Sequence, residues 1–92
     1  MKFQVQELRT EVLEFALMME AELRKKDAER GDSWKIMPSD DLLISATAQL
    51  LHAERAIFNG EPHVKHIVHA ANYCMMIADV SGGLVTEEGG EQ

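Results

Sequence analysis

One cysteine, two prolines and no long apolar run: this 92-residue chain is informative first for what it has little of. With Cys74 alone there is no intramolecular disulfide framework, and a reducing compartment fits best. Cys74 lies in an apolar helical run with no signature of a nucleophile beside it, so a buried packing role is expected. No stretch approaches the roughly 18 consecutive apolar residues of a membrane-spanning helix. Glu7, Glu11 and Glu14 interrupt the early apolar runs, so no secretory pattern is read there and a cytoplasmic location is expected. Basic residues are also scarce, nine Lys and Arg against sixteen Asp and Glu, for a net charge of -7. A chain of that charge lacks the basic face needed to hold nucleic acid or an anionic membrane. A small nucleotide stays open, because a few local cations suffice for its phosphates.

What is present is helical periodicity. Apolar residues make up 46% of the chain, enough to cover one face of each of three helices but not to build two layers. One small domain over 1–83 is expected, with association into a homo-oligomer, a dimer or tetramer, burying what the protomer leaves open. Val5, Leu8, Val12, Phe15, Met19 and Leu23 recur at steps of three and four and predict a first helix from about Val5 to Ala28. Glu7, Glu11, Glu14, Glu20 and Glu22 fall on its outer face, and Arg24, Lys25 and Lys26 suit the negative end of the helix dipole. Gly31 stops it, and a loop with Trp34 leads to Met37-Pro38.

Ser39 is a suitable N-cap for a second helix over Asp40–Phe58, with Leu43, Leu50, Ala53 and Ile57 on its core face. Asn59-Gly60 ends it. Pro62 then fits the first turn of a third helix running to about Val80, with Val64, Ile67, Ala71, Cys74, Met75 and Ala78 facing inward. Ser81-Gly82-Gly83 breaks that helix, and the acidic, glycine-rich 84–92 is expected to be a flexible tail. No strand alternation and no internal repeat is visible. The reading is all-α, a helical bundle.

The sharpest feature lies on the second and third helices. Gln49-x-x-His52 and His66-x-x-His69 each have the i,i+3 spacing that keeps two side chains on one helix face. A hairpin folded at Asn59–Pro62 sets His52 level with His69, so four polar side chains can meet across one helix–helix seam.

Three further stretches carry a resemblance: Met19-Glu20-Ala21-Glu22-Leu23-Arg24-Lys25-Lys26-Asp27, then Trp34, then Ala71-Asn72-Tyr73-Cys74-Met75-Met76-Ile77-Ala78-Asp79. Together they make Met19 to Asp79 resemble the small MazG-like proteins of the all-α nucleoside triphosphate pyrophosphohydrolase superfamily. Relatives in that family show a lysine-rich helix end, a Gly-Gly-Trp-like loop and a final Asn-Phe-Ala-Met-Met-Ile-Ala-Asp helix. The resemblance implies the family's helical-bundle fold, completed by oligomerisation. It also implies a magnesium-dependent Glu-x-x-Glu…Glu-x-x-Asp centre at Gln49, His52, His66 and His69. The spacing is kept and every carboxylate is gone. Mg²⁺ takes oxygen ligands and has little use for imidazole, so hydrolysis of the family kind is not expected and the protein reads as catalytically degenerate.

Three readings of the seam follow. His52, His66 and His69, completed by Gln49 or water, suit a transition metal such as Zn²⁺, Mn²⁺ or Ni²⁺. Such a site leaves open a metal-dependent nucleoside triphosphate pyrophosphohydrolase with His in place of carboxylates. Alternatively the pocket keeps a nucleotide or related phosphate ligand without hydrolysing it. Lys25, Lys26, Arg55 and Lys65 are then its phosphate partners, Trp34 or Tyr73 its stacking surface, and Asn72 part of its wall. In the third reading the histidines are merely satisfied polar groups, using Gln49, Asn72, Tyr73 or water, and the bundle works through protein contacts. For the basic cluster the plainer account is a solvated helix end. For Trp34 it is a loop residue packed over the helix pair, and for the methionine pairs Met18-Met19 and Met75-Met76 it is core or subunit interface.

Overall fold

A computed structural model describes residues 4–84 of the chain. Two short 3₁₀ turns, Val5–Glu7 and Ser33–Ile36, and three helices, α1 (Thr10–Asp27), α2 (Ser39–Phe58) and α3 (Val64–Val80), make up the architecture. No described residue is in a strand, so the all-α expectation holds. No helix among the described residues is long and apolar enough to cross a membrane. Beyond Leu84 the expected acidic tail lies outside the described residues.

The helix ends follow local chemistry, with three shifts from expectation. α1 begins at Thr10 rather than Val5. The Gln4 N–H donates to Glu7 Oε1 at 2.8 Å and closes a separate 3₁₀ turn, after which Leu8 and Arg9 are extended. Pro38, not Ser39, is the extended residue before α2; its carbonyl accepts from the Leu42 N–H at 3.2 Å, which makes Ser39 the first helical residue. Pro62 lies outside α3, whose cap is His63.

That last shift has a geometric cause. Gly60, at φ +70, donates to the Ile57 carbonyl at 3.2 Å while Glu61 donates to the Ala56 carbonyl at 2.8 Å. This is the Schellman closure, which only a left-handed residue after the helix permits, and it consumes the chain through Glu61 before a new helix can start. Gly82, at φ +75, repeats it after α3, with Gly82 donating to Asp79 and Gly83 to Ala78.

α3 is the centre of the molecule, packing against α2, against α1 and against the Ser33–Ile36 turn. The buried apolar residues are Leu42, Ala46, Ala53 and Ala56 on α2 and Val68, Ala70 and Met76 on α3. Of the four α2 residues expected in the core only Ala53 is there; Leu43, Leu50 and Ile57 are more than half exposed. α2 carries two apolar stripes, one of alanines with Leu42 and one of leucine and isoleucine. The small-residue stripe wins the contact with α3 because alanines let two helix backbones approach closely, adding dispersion contacts the bulky stripe cannot make. The bulky stripe therefore faces out, with Ile44, Leu51 and Phe58 beside it.

α3 departs from expectation in the same way. Val68, Ala70, Asn72 and Met76 are buried, Ile67, Ala71, Met75 and Ala78 are half-buried, and Val64 is exposed. Cys74 is exposed, not the buried packing residue expected from its apolar surroundings. A helix touched by three neighbours buries more than one stripe, so a single-face reading misplaces residues at its margins. α1, by contrast, has no fully buried residue.

Candidate functional site

The seam between α2 and α3 gathers three of the four residues anticipated there. Gln49 Oε1 and His66 Nδ1 are 3.2 Å apart, and the His52 and His66 rings lie with centroids 5.5 Å apart at an interplanar angle of 33°. The register differs from the one expected, since the ring beside His52 is His66 rather than His69. His69 turns to α1, where its Nε2 lies 3.0 Å from Glu22 Oε1. Among the described residues no three His, Cys, Asp or Glu side chains are grouped so as to hold a metal ion.

Glu22 was expected on the outer face of the first helix and is not there. Its side chain is only 15% exposed, held between His69 and Lys25, whose Nζ lies 2.9 Å from Oε2. The Lys25 ammonium, and after it the His69 ring, hydrogen-bond this carboxylate and outweigh its desolvation, drawing its pKa down to about 2. The signal was present in the sequence. Phe15, Met19 and Glu22 continue one stripe at steps of four and three, so a carboxylate there faces α3.

Beyond this pair opens a cavity of about 380 Å³, walled by the C-terminal part of α1, the Ser33–Ile36 segment, α2 and α3. Lys26, Trp34, Gln49, His69, Asn72 and Tyr73 line it, all of them residues singled out from the sequence. Glu22, Asp27, Arg30, Ser33, Met37 and Ser45 complete most of its wall and were not. Arg30 lies past the end of the periodic stripe, and only the turn back through Gly31 brings it beside the cavity. Of the other expected phosphate partners, Lys25 is engaged by Glu22, and Arg55 and Lys65 are not part of this wall.

Two anchors set the shape of the wall. Lys35 Nζ sits 4.6 Å from the Trp34 ring centroid and 2.9 Å from Asp79 Oδ2, so one side chain holds the tryptophan loop to α3. Asp79 thereby acts as a tether, and it draws the Lys35 pKa upward. Asn72, only 5% exposed, donates from Nδ2 to the Met19 carbonyl at 3.2 Å, while its Oδ1 is buried with no hydrogen-bond partner among the described residues. An amide carbonyl left without a donor is costly, and native interiors rarely keep one.

The cavity thus combines two aromatic rings, two cations and two carboxylates, with the Asn72 side chain in its wall. It has the size of a small-molecule site, which typically runs from about 300 to 1,000 Å³. Comparison of the chain with known protein families, with curated proteins and with solved structures gives no match.

Proposed function

We propose that this protein is a catalytically degenerate MazG-like bundle that binds a nucleotide or small phosphate ligand without hydrolysing it. The observation that carries this reading is the 380 Å³ cavity in which Trp34 and Tyr73 accompany Lys26 and Arg30. Aromatic walls suit a planar base, and the two cations suit a phosphate. The seam supports the absence of hydrolysis on chemical grounds. Gln49, His52 and His66 bring an amide and two imidazoles to positions where octahedral Mg²⁺ would need anionic oxygens.

A second copy of the chain is the partner this reading requires. α1 has no fully buried residue, and α2 turns Leu43, Leu50, Leu51, Ile57 and Phe58 outward, with Phe58 81% exposed. A contiguous apolar face of that kind is characteristic of an interface. The competing reading, a helical interaction module without a ligand, draws on the same face and makes no use of the cavity.

Thermal unfolding of the purified chain with nucleoside mono-, di- and triphosphates, with and without Mg²⁺, separates the two. Ligand binding raises the midpoint by mass action, and Trp34→Ala or Lys26→Ala removes that rise. A panel that shifts nothing at millimolar concentration leaves the interaction module standing. Pyrophosphate release that disappears in His66→Ala overturns the non-catalytic assignment.

A further inference from the structure

We infer that the segment from Asp32 to Met37 is a lid on the cavity, latched to α3 by Lys35 and Asp79 and swinging at Gly31 to admit a ligand. The inference rests on the cavity of the proposed function, but not on a nucleotide as its occupant.

Position is the first support. Among the described residues that line the cavity, those outside α1, α2 and α3 are Arg30, Gly31, Ser33, Trp34 and Met37, all in or beside this segment. Helices supply the rest of the wall. Moving a helix would give up buried contacts such as those of Leu42 and Val68. The Ser33–Ile36 turn has no buried residue, and Ile36 is 89% exposed. An element with so little buried surface opens far below the cost of unfolding.

The second support is how the segment is built. The Lys35 and Met37 N–H groups donate within it, to the Asp32 and Trp34 carbonyls, so it can move as one unit. Arg30 and Gly31 instead donate back to α1, to Lys26 and Asp27. One backbone bond crosses the joint, from Ser33 to the Arg30 carbonyl at 3.0 Å, and Gly31 sits in that joint at φ +52.

The latch itself is the third. Among the described residues, Lys35 to Asp79 at 2.9 Å is the one side-chain ion pair or hydrogen bond that joins the Ser33–Ile36 turn to a helix. Lys35 also lies over the Trp34 ring, so the same cation holds the aromatic wall in place. Its side chain is 51% exposed and that of Asp79 28%, which makes the pair weak and open to screening by salt. Such a contact biases the lid shut and still lets it go.

The test times reaction of a cavity thiol with N-ethylmaleimide, a neutral reagent whose approach the net charge of -7 does not alter. The full chain carries Ser45→Cys in the cavity wall and Cys74→Ser to remove the exposed native thiol. Acrylamide quenching of Trp34, the only tryptophan, is read in parallel. Asp79→Asn and Lys35→Met should each speed labelling about two- to fivefold, the shift that loss of an exposed ion pair makes in an opening equilibrium, and should steepen quenching. Lys35→Arg keeps the charge and the ring contact and should label at the background rate. Raising NaCl from about 0.02 M to about 0.5 M should speed the background and leave Asp79→Asn unchanged. Sub-denaturing urea should change labelling little, because an opening lid exposes little new surface. Labelling indifferent to both latch variants overturns the lid, as does equal acceleration by Arg24→Ala, which breaks the Arg24–Glu20 pair on α1. So does a labelling rate that climbs with urea at the slope of global unfolding.

Discussion

Asn72→Leu measures what a half-satisfied buried amide does to the stability of the fold. In the parent, Asn72 Nδ2 donates to the Met19 carbonyl while Oδ1 is buried without a partner among the described residues. The first interaction contributes about 0.5–1.5 kcal/mol and the second costs about 1–3 kcal/mol. Removing both leaves no new orphan, because the Met19 carbonyl lies inside α1 and still accepts its helical N–H bond. Leucine also places apolar atoms where the amide was, against Met76 and the other side chains of the wall. The substitution should therefore stabilise the protein by about 1 kcal/mol. With a urea m-value of about 1 kcal/mol/M for a domain of this size, the midpoint should rise by about 1 M at unchanged slope. Protein concentration must be the same in both titrations, since association contributes to apparent stability. A loss of more than about 1 kcal/mol would refute the reasoning, because it would mean that Oδ1 is satisfied in the folded protein.

Three further predictions follow from the packing and the charges. Leu42→Ala, at a fully buried position, should cost about 2–5 kcal/mol, whereas Leu43→Ala should cost little in a dilute monomer; equal costs by urea unfolding would contradict the assignment of the two α2 faces. Glu22 has a folded pKa of about 2, below its ordinary value near 4.5, so its contribution is complete above that ordinary value and is lost as pH falls toward 2. The stability gap between the parent and Glu22→Gln should thus be constant above about pH 5 and close below it, read from unfolding midpoints against pH, and a gap that widens on acidification would reverse the sign of the argument. Leu50→Glu, on the outward stripe of α2, should shift the sedimentation coefficient toward that of a protomer, and a parent already monomeric at high concentration would remove the second copy from the account.

How far the sequence could be read depended on the range of the interaction concerned. Gly60 and Gly82 mark helix ends because a left-handed residue is a local requirement there, whereas Gly31, also at positive φ, lies four residues past the end of α1. The face of α2 that enters the core was not legible, since two apolar stripes competed and the choice lay with the surface of α3. Glu22 was assigned to solvent by its charge, although its spacing from Met19 placed it toward α3, where His69 and Lys25 compensate it.

Helix number, order and stopping points belong to the sequence alone, for they depend on propensity and backbone sterics within a few residues. The seam's residue types, Gln49, His52, His66 and His69 at i,i+3 spacing, belong there too. Only the tertiary structure decided that His66 meets His52 while His69 leaves the seam for Glu22. The same packing of α1 and the Trp34 turn against α3 enclosed the cavity. Those outcomes depend on which surfaces of three helices come together, and that choice is made by the summed packing of residues far apart in the chain.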